Sequence, residues 1–182
     1  MDIIKGGVTA AKGFEAAAAA AGIKYTDRTD MALVYSQAPC EAAGTFTQNV
    51  VKAAPVKWDQ KVVKSGSKVQ AVIVNSGIAN ACTGAEGYGY CEDTAAAAAE
   101  ALGISGDGVV IGSTGVIGKQ IPIEKLTAGI KVLAEKKNDS LENGTQAARA
   151  IMTTDTFEKE LAVTLKVGGK TVTIGGMAKG SG

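Results

Sequence analysis

The sequence predicts an α/β fold, and three observations carry that prediction. Two β-branched runs, residues 69–74 and 109–111, have the length and composition of buried strands, and each leads into a polar, glycine-bearing segment. Two stretches have helical character: residues 86–102 stop at Gly103, and Ile123, Leu126, Ile130 and Leu133 make one apolar face over residues 123–137. Glycine contributes 24 of 182 residues, aromatics only 4%, and alanine runs recur. The interior must therefore be built from small and β-branched side chains that allow close backbone approach.

In chain order, residues 8–21 read as an alanine-rich helix, with Gly13 near its start and Gly22 placed to cap it. Residues 23–30 are a polar connection. Residues 31–35 are a strand, with 46–51 as its candidate partner, and the turn residues between them include Cys40, read as a small core thiol rather than a nucleophile. After the strand at 69–74, Asn75, Ser76, Asn80 and Thr83 suit either a ligand or a turn stabilised by side chain to backbone bonds, and the turn is preferred. Residues 112–118, with glycines at 112, 115 and 118 around Ser113 and Thr114, form either a tight turn or a loop that aims N–H groups at negative charge. Pro122 suits the start of the next helix, and lysines gather at its C-terminal end. A polar break at 138–143 precedes a helix at 145–152. Thr153-Thr154-Asp155-Thr156 then reads as a turn, a cap or a polar ligand site. Residues 161–167 alternate as a strand, Gly168-Gly169 is a hairpin turn and residues 170–174 return. The glycine-rich stretch 175–182 is expected to be a mobile tail, left where processing cuts a longer fold.

Charge and composition exclude several function classes. With 19 basic and 18 acidic residues and no basic run, nothing favours nucleic acid or an anionic membrane as a partner. Three cysteines without a C-x-x-C pair argue against a disulfide framework or a cysteine-rich zinc site, and a reducing cytoplasm is the simplest location. The start lacks a signal-peptide pattern, and the alanine run at 16–21 is too short to span a bilayer. The chain has no histidine, which removes Ser-His-Asp and Cys-His catalysis and histidine metal sites from within it. A catalytic base must then be a lysine, a carboxylate or an amine, or must come from another chain. A phosphate cradle at 112–118 is a poor fit, because the Lys-Ser/Thr ending of a P-loop and the spacing G-x-G-x-x-G are both missing.

Five ordered motifs resemble one family. They are G-G-V-T-A-x-K-G-F at 6–14, A-A-G-T-F-T-x-N-x-V-K-A-A-P-V at 42–56, V-N-S-G-x-A-N-A-C-T-G at 74–84, G-S-T-G-V-I-G at 112–118 with T-T-D-T at 153–156, and G-G-M-A-K-G-S-G at 175–182. They are similar to the ornithine acetyltransferases of arginine biosynthesis, the ArgJ or bifunctional glutamate N-acetyltransferase family. The resemblance covers essentially the whole chain and implies the DmpA/ArgJ-like α/β (α+β) fold, an N-terminal-nucleophile-type αβ heterodimer. It implies that residues 1–182 form a single α-chain unit, completed by a separate β chain produced by autocatalytic cleavage before a threonine.

By the same resemblance, the β-chain threonine is the nucleophile and uses its own α-amino group as base, which accounts for a chain without histidine. Acetyl passes from N-acetylornithine to glutamate. No metal or cofactor is implied, acetyl-CoA being at most an alternative acetyl-donor substrate. The implied assembly is a cytoplasmic α2β2 heterotetramer without nucleic-acid or membrane partners. Thr114 and Gly115 match the family's oxyanion-hole pair, and Thr153 and Lys179 match substrate-binding positions. Ile78 and Glu158 depart from the family pattern, where asparagine and proline are usual, and Ile78 removes a polar group from its loop. A DmpA-like aminopeptidase or amidase, passing the acyl group to water, is the alternative reading.

Overall fold

Two sheets, one flanked by helices, organise the chain. The computed structural model describes residues 1–180. Its elements are β1 (Asp2–Ile4), β2 (Phe14–Ala19), β3 (Met31–Cys40), α1 (Ala54–Ser65), β4 (Val69–Ile78), α2 (Gly84–Leu102), β5 (Val109–Val116), α3 (Ile123–Lys136), α4 (Leu141–Ala150), β6 (Lys159–Val167) and β7 (Lys170–Ala178). The larger sheet has the order β2-β3-β4-β5 and the smaller one β1-β6-β7. Strands β4 and β5 are parallel and joined through α2, while the other pairs are antiparallel. The α/β expectation holds.

The larger sheet is covered on both faces, which explains its composition. Ala17, Ala19, Met31, Leu33, Ala71, Ile73, Val109 and Ile111 pack with Trp58 and Val62 of α1, Cys91, Ala95 and Ala98 of α2, and Leu126, Ile130 and Leu133 of α3. The alternate residues Ala16 and Ala32, with Ala18 and Val74 beside them, meet Ala147, Ala150 and Ile151 at α4. At the free edge of β5, α1 supplies two side chain to backbone bonds. Trp58 Nε1 donates to the Val109 carbonyl at 2.9 Å, and the Ile111 N–H donates to Asp59 Oδ1 at 2.8 Å.

The helix expected at 8–21 is a strand. A single 3-10 turn at Val8–Ala10 precedes β2, whose residues Ala16–Ala19 pair with Val34–Met31. Alanine's helical preference amounts to a few tenths of a kcal/mol per residue, and here it yields to strand pairing in a slot too narrow for larger side chains. The tightness is visible at Gly129 of α3, where an added Cβ would lie 2.4 Å from the Met31 sulfur and 2.9 Å from the Ala21 Cβ. Gly22, with φ 70°, belongs to the connection from β2 to β3 rather than to a helix cap. Buried Asp30 steadies that connection by accepting the N–H groups of Ala21 and Ile23 at 2.7 and 2.6 Å.

Other expectations shift. Residues 46–51 form no strand; β3 pairs with β2 and β4 instead. Cys40 lies half-buried at the end of β3, its Sγ 3.0 Å from Ser36 Oγ, and the core thiol is Cys91. Helix α1 and the short strand β1 add to the elements that the sequence predicts. Helix α4 starts earlier than expected, at Leu141, because Ser140 Oγ accepts the Asn143 N–H at 3.2 Å as an N-cap. The expected mobile tail is strand as far as Ala178, with Gly175–Ala178 paired to Ala162–Lys159. Ser181 and Gly182 of that motif lie outside the described residues. Helices α2 and α3 and the β6–β7 hairpin, turning at Gly168 and Gly169 with φ 56° and 79°, are as expected.

Candidate functional site

Thr114 and Gly115 stand at the carboxyl end of the parallel β4–β5 pair, the end at which open α/β sheets generally bind ligands. The polar segments expected to be loops continue the strands: Asn75 is in register with Ser113, Ser76 with Thr114, Gly77 with Gly115 and Ile78 with Val116. Thr114 is half-buried and Gly115 exposed. Gly115 has φ 136°, and an added Cβ would sit 2.2 Å from the Gly77 carbonyl carbon and 2.3 Å from its oxygen. This glycine is thus required by the contact between two backbones, before any ligand is considered.

The strand end is tied down by polar groups with internal partners. Ser113 Oγ donates to Asn75 Oδ1 at 2.7 Å, and Asn75 Nδ2 donates to the Ile78 carbonyl at 2.9 Å. Asn80 Nδ2 donates to the Gly87 carbonyl at 2.8 Å, and Thr83 Oγ1 donates to Asn80 Oδ1 at 2.7 Å. The segment after β5 is strapped to the segment after β4 by Ala79 N–H to Val116 carbonyl at 2.9 Å and Gly118 N–H to Ala81 carbonyl at 2.8 Å. Asn75 and Asn80 therefore bond to backbone and Thr83 supports Asn80, but Asn75 and Ser76 do so from within β4 rather than from the expected turn. Ile78 is fully buried, so its departure from the family pattern fills core space.

A second cluster gathers Thr153 and Lys179 around Asp155. The Asp155 side chain is only 1% exposed and accepts from Lys159 Nζ at 2.9 Å, the Gly180 N–H at 3.0 Å, the Thr153 N–H at 3.2 Å and Lys179 Nζ at 3.2 Å. The Lys159 ammonium, the Gly180 and Thr153 N–H groups and the Lys179 ammonium hold its carboxyl far below the usual carboxylate range, against the opposing effect of burial. Lys179 is accordingly an ion-paired, half-buried residue rather than a solvated charge on a loose tail. The sequence signals Asp155 only as a carboxylate flanked by hydroxyls, which suits a turn, a cap or a polar ligand site; the fold makes it the shared acceptor of the cluster.

Ser76 joins the two clusters. It lies in register with Thr114, and its Oγ donates to the Ala150 carbonyl at 2.7 Å, at the end of α4 that leads into Thr153. Arg28 Nη2 donates to the neighbouring Met152 carbonyl at 2.5 Å. One strand pairing and one hydrogen bond thus connect the Thr114 side to the Thr153 side.

The remaining chemistry is sparse. Among the described residues no group of three His, Cys, Asp or Glu side chains could hold a metal ion, and no helix is long and apolar enough to cross a membrane. Cys91 is buried, and desolvation first, then the charges of Asp59 and Glu92, push its thiol up to about 12, so it stays protonated and is no nucleophile. One sheet face is unusually apolar and open. Ile3, Leu161, Val167, Val172 and Ile174 project from the same side of β1-β6-β7 and are 75, 56, 55, 38 and 55% exposed.

The chain is similar to known proteins in sequence and in fold. A family model described as the ArgJ family matches residues 15–182. The chain is 48% identical, over 98% of its length, to the arginine biosynthesis bifunctional protein ArgJ of Gloeobacter violaceus, and 50% identical over its whole length to that of Symbiobacterium thermophilum. It spans 44 and 45% of the length of those two relatives. Among solved structures, it matches the arginine biosynthesis bifunctional protein ArgJ of Bacillus halodurans with a TM-score of 0.93 and 42% identity, covering 100% of this chain and 95% of the other. It matches ornithine acetyltransferase of Mycobacterium tuberculosis, complexed with ornithine, with a TM-score of 0.93 and 45% identity, covering 99 and 95%.

Proposed function

The chain belongs to the ArgJ family, and from that membership we propose that it is the α part of an acetyltransferase of arginine biosynthesis, moving acetyl from N-acetylornithine to glutamate. The observation that carries the proposal is the near-complete match to a structure described as ornithine acetyltransferase complexed with ornithine. In the proposed cycle, an N-terminal threonine of a separate β chain attacks the acetyl carbonyl of N-acetylornithine, with its own α-amine taking the hydroxyl proton. The tetrahedral oxyanion collapses, the C–N bond breaks, and ornithine leaves with the proton returned by that amine. Glutamate's amine then attacks the acetyl ester, releasing N-acetylglutamate and restoring the threonine.

Thr114 and Gly115 are assigned to the oxyanion in both half-reactions. One such donor is commonly worth about 2.7 to 4 kcal/mol of barrier. Thr153 and Lys179 are assigned to the substrate, with the lysine ammonium facing a carboxylate. The open apolar face of β1-β6-β7 supports completion by another chain, since contiguous exposed apolar surface generally marks an interface. The proposed whole is a self-cleaved α2β2 assembly of the cytoplasm, with acetyl-CoA as a second acetyl donor.

The processed enzyme incubated with N-acetylornithine alone should release no more than one ornithine per active site, and continued release should require glutamate. Free acetate accumulating without glutamate would instead mark a hydrolase. The co-expressed product should give two masses, the second beginning with threonine; one uncut, active chain would sink the N-terminal nucleophile.

A further inference from the structure

The acetyl-transfer scheme makes no use of Asp155, yet its carboxylate is where Thr153, Lys179 and Gly180 meet. We propose that Asp155 is a positioning residue of the acetyl-transfer site, holding the Lys179 ammonium and the Thr153 backbone in the geometry that receives the substrate carboxylate. The inference rests on the reading of Thr153 and Lys179 as substrate-binding residues.

The division of labour between the two carboxylate oxygens supports it. Oδ2 takes Lys179 Nζ at 3.2 Å and the Thr153 N–H at 3.2 Å, so one oxygen links both positions assigned to the substrate. Oδ1 takes Lys159 Nζ at 2.9 Å and the Gly180 N–H at 3.0 Å, which fixes the backbone on the far side of Lys179. A lysine side chain is long and flexible, with three donors on its ammonium. Pairing one donor with a nearly inaccessible carboxylate orients the others. Two ammonium groups also face a single carboxylate, so the cluster keeps a surplus positive charge that the carboxylate of an amino-acid substrate would complete. A simple clasp between the turn at 153–156 and the end of β7 would need neither that surplus nor the second lysine.

The test compares Asp155→Asn, Lys179→Met and the double variant in the assembled, processed enzyme. The asparagine side chain keeps one oxygen, enough to accept one of the two N–H bonds, and loses the charge. The Asp155→Asn enzyme should show a KM for N-acetylornithine raised roughly tenfold, the scale of one charge-assisted hydrogen bond, with kcat much less affected. The double variant should lose less in KM than the product of the two single losses, because both changes remove the Lys179–Asp155 pair. An unchanged KM in Asp155→Asn, or losses that multiply in the double variant, would overturn the proposal. A second measurement needs no activity: brief labelling with acetic anhydride, read by mass spectrometry against exposed Lys12. Lys179 should be modified several-fold faster in Asp155→Asn than in the parent, and equal rates would also overturn the proposal. An inactive parent enzyme would refute the acetyltransferase reading alone, and the labelling comparison would then decide whether Asp155 holds Lys179.

Discussion

The carboxyl ends of β5 and β7 are alike in sequence and unlike in what holds them. Both are glycine-rich, and both contain a glycine pressed against another backbone: Gly115 against Gly77, and Gly175 against Gly7, whose oxygen would lie 2.1 Å from an added Cβ. Beyond those contacts they diverge. The β5 end is strapped by backbone bonds from Gly118 and to Val116, whereas the β7 end is gripped by the Asp155 carboxylate through Lys179 and Gly180. One half of the candidate site is therefore built from peptide groups and the other from charge. A peptide-built half should be sensitive to shape and indifferent to pH, and a charge-built half should show the reverse.

The sharpest way to break that contrast is Gly115→Ala. Its methyl would enter the Gly77 carbonyl at a φ that L-residues rarely adopt, so a loss of about 2 to 4 kcal/mol is expected, measured by denaturant unfolding and equal at pH 5 and pH 8. Gly118→Ala is its control, because the space around Gly118 is open and only the φ of 71° opposes the change; a loss of about 1 kcal/mol is expected. A comparable loss at both glycines would show that β5 and β4 have room to part.

On the β7 side, Lys179→Met should raise KM for N-acetylornithine by about tenfold or more while leaving kcat closer to the parent value, measured by steady-state kinetics of the assembled enzyme. An equal loss in kcat would place Lys179 with the transition state rather than with substrate binding.

Two carboxylates then give opposite pH signs. Asp155 is held low, so its stabilisation is present above the unfolded-state value near 4 and fades as pH falls toward its depressed native value. Acid unfolding below about pH 4 should become flatter in Asp155→Asn. Asp59 is pushed up to about 6 by burial, against the Ile111 N–H bond that favours its charge. Its contribution is complete below the unfolded-state value near 4 and is lost as pH rises through about 6. Asp59→Asn keeps an acceptor for Ile111 and should gain about 1 kcal/mol relative to the parent on going from pH 4 to pH 8, after allowance for the partial exposure of this side chain. An identical pH profile in parent and variant would show that Asp59 is already solvated.

How much of this was legible in the sequence is clearest from the two alanine runs. Ala95–Ala99 and Ala16–Ala20 are equally good helix formers, and both read as helix. The first is a helix within α2; the second is mostly β2. What separates them is the width of the gap between α3 and α4 and the availability of β3 as a pairing partner, neither of which is a local property. Helix α1 was missed although Trp58 and Val62 have helical spacing and Ala54-Pro55 suits a helix start. The polar residues after β4 and β5 concealed how far the strands extend, because strand polarity is normally a sign of exposure and here it is satisfied internally. Thr114 and Gly115 lie in a glycine loop whose composition already suits binding of negative charge, and Thr153 in a hydroxyl-rich segment that suits a polar ligand, but their individual roles, and any role for Lys179, come only from family resemblance. That Thr153 and Lys179 share Asp155 depends on the register of β6 with β7, which places Ala178 opposite Lys159.

The contact of α1 with the edge of β5 has a consequence for self-association. A bare edge strand offers its amides and carbonyls to any extended peptide, including a second copy of the same sheet. Trp58 and Asp59 occupy the Val109 carbonyl and the Ile111 amide, two of the groups an incoming strand would use. They fix the width of the sheet at β5, and they do so next to the strand end that carries Thr114 and Gly115. Crowding of that edge by an aggregating neighbour is thereby discouraged by a helix that carries none of the four candidate site residues.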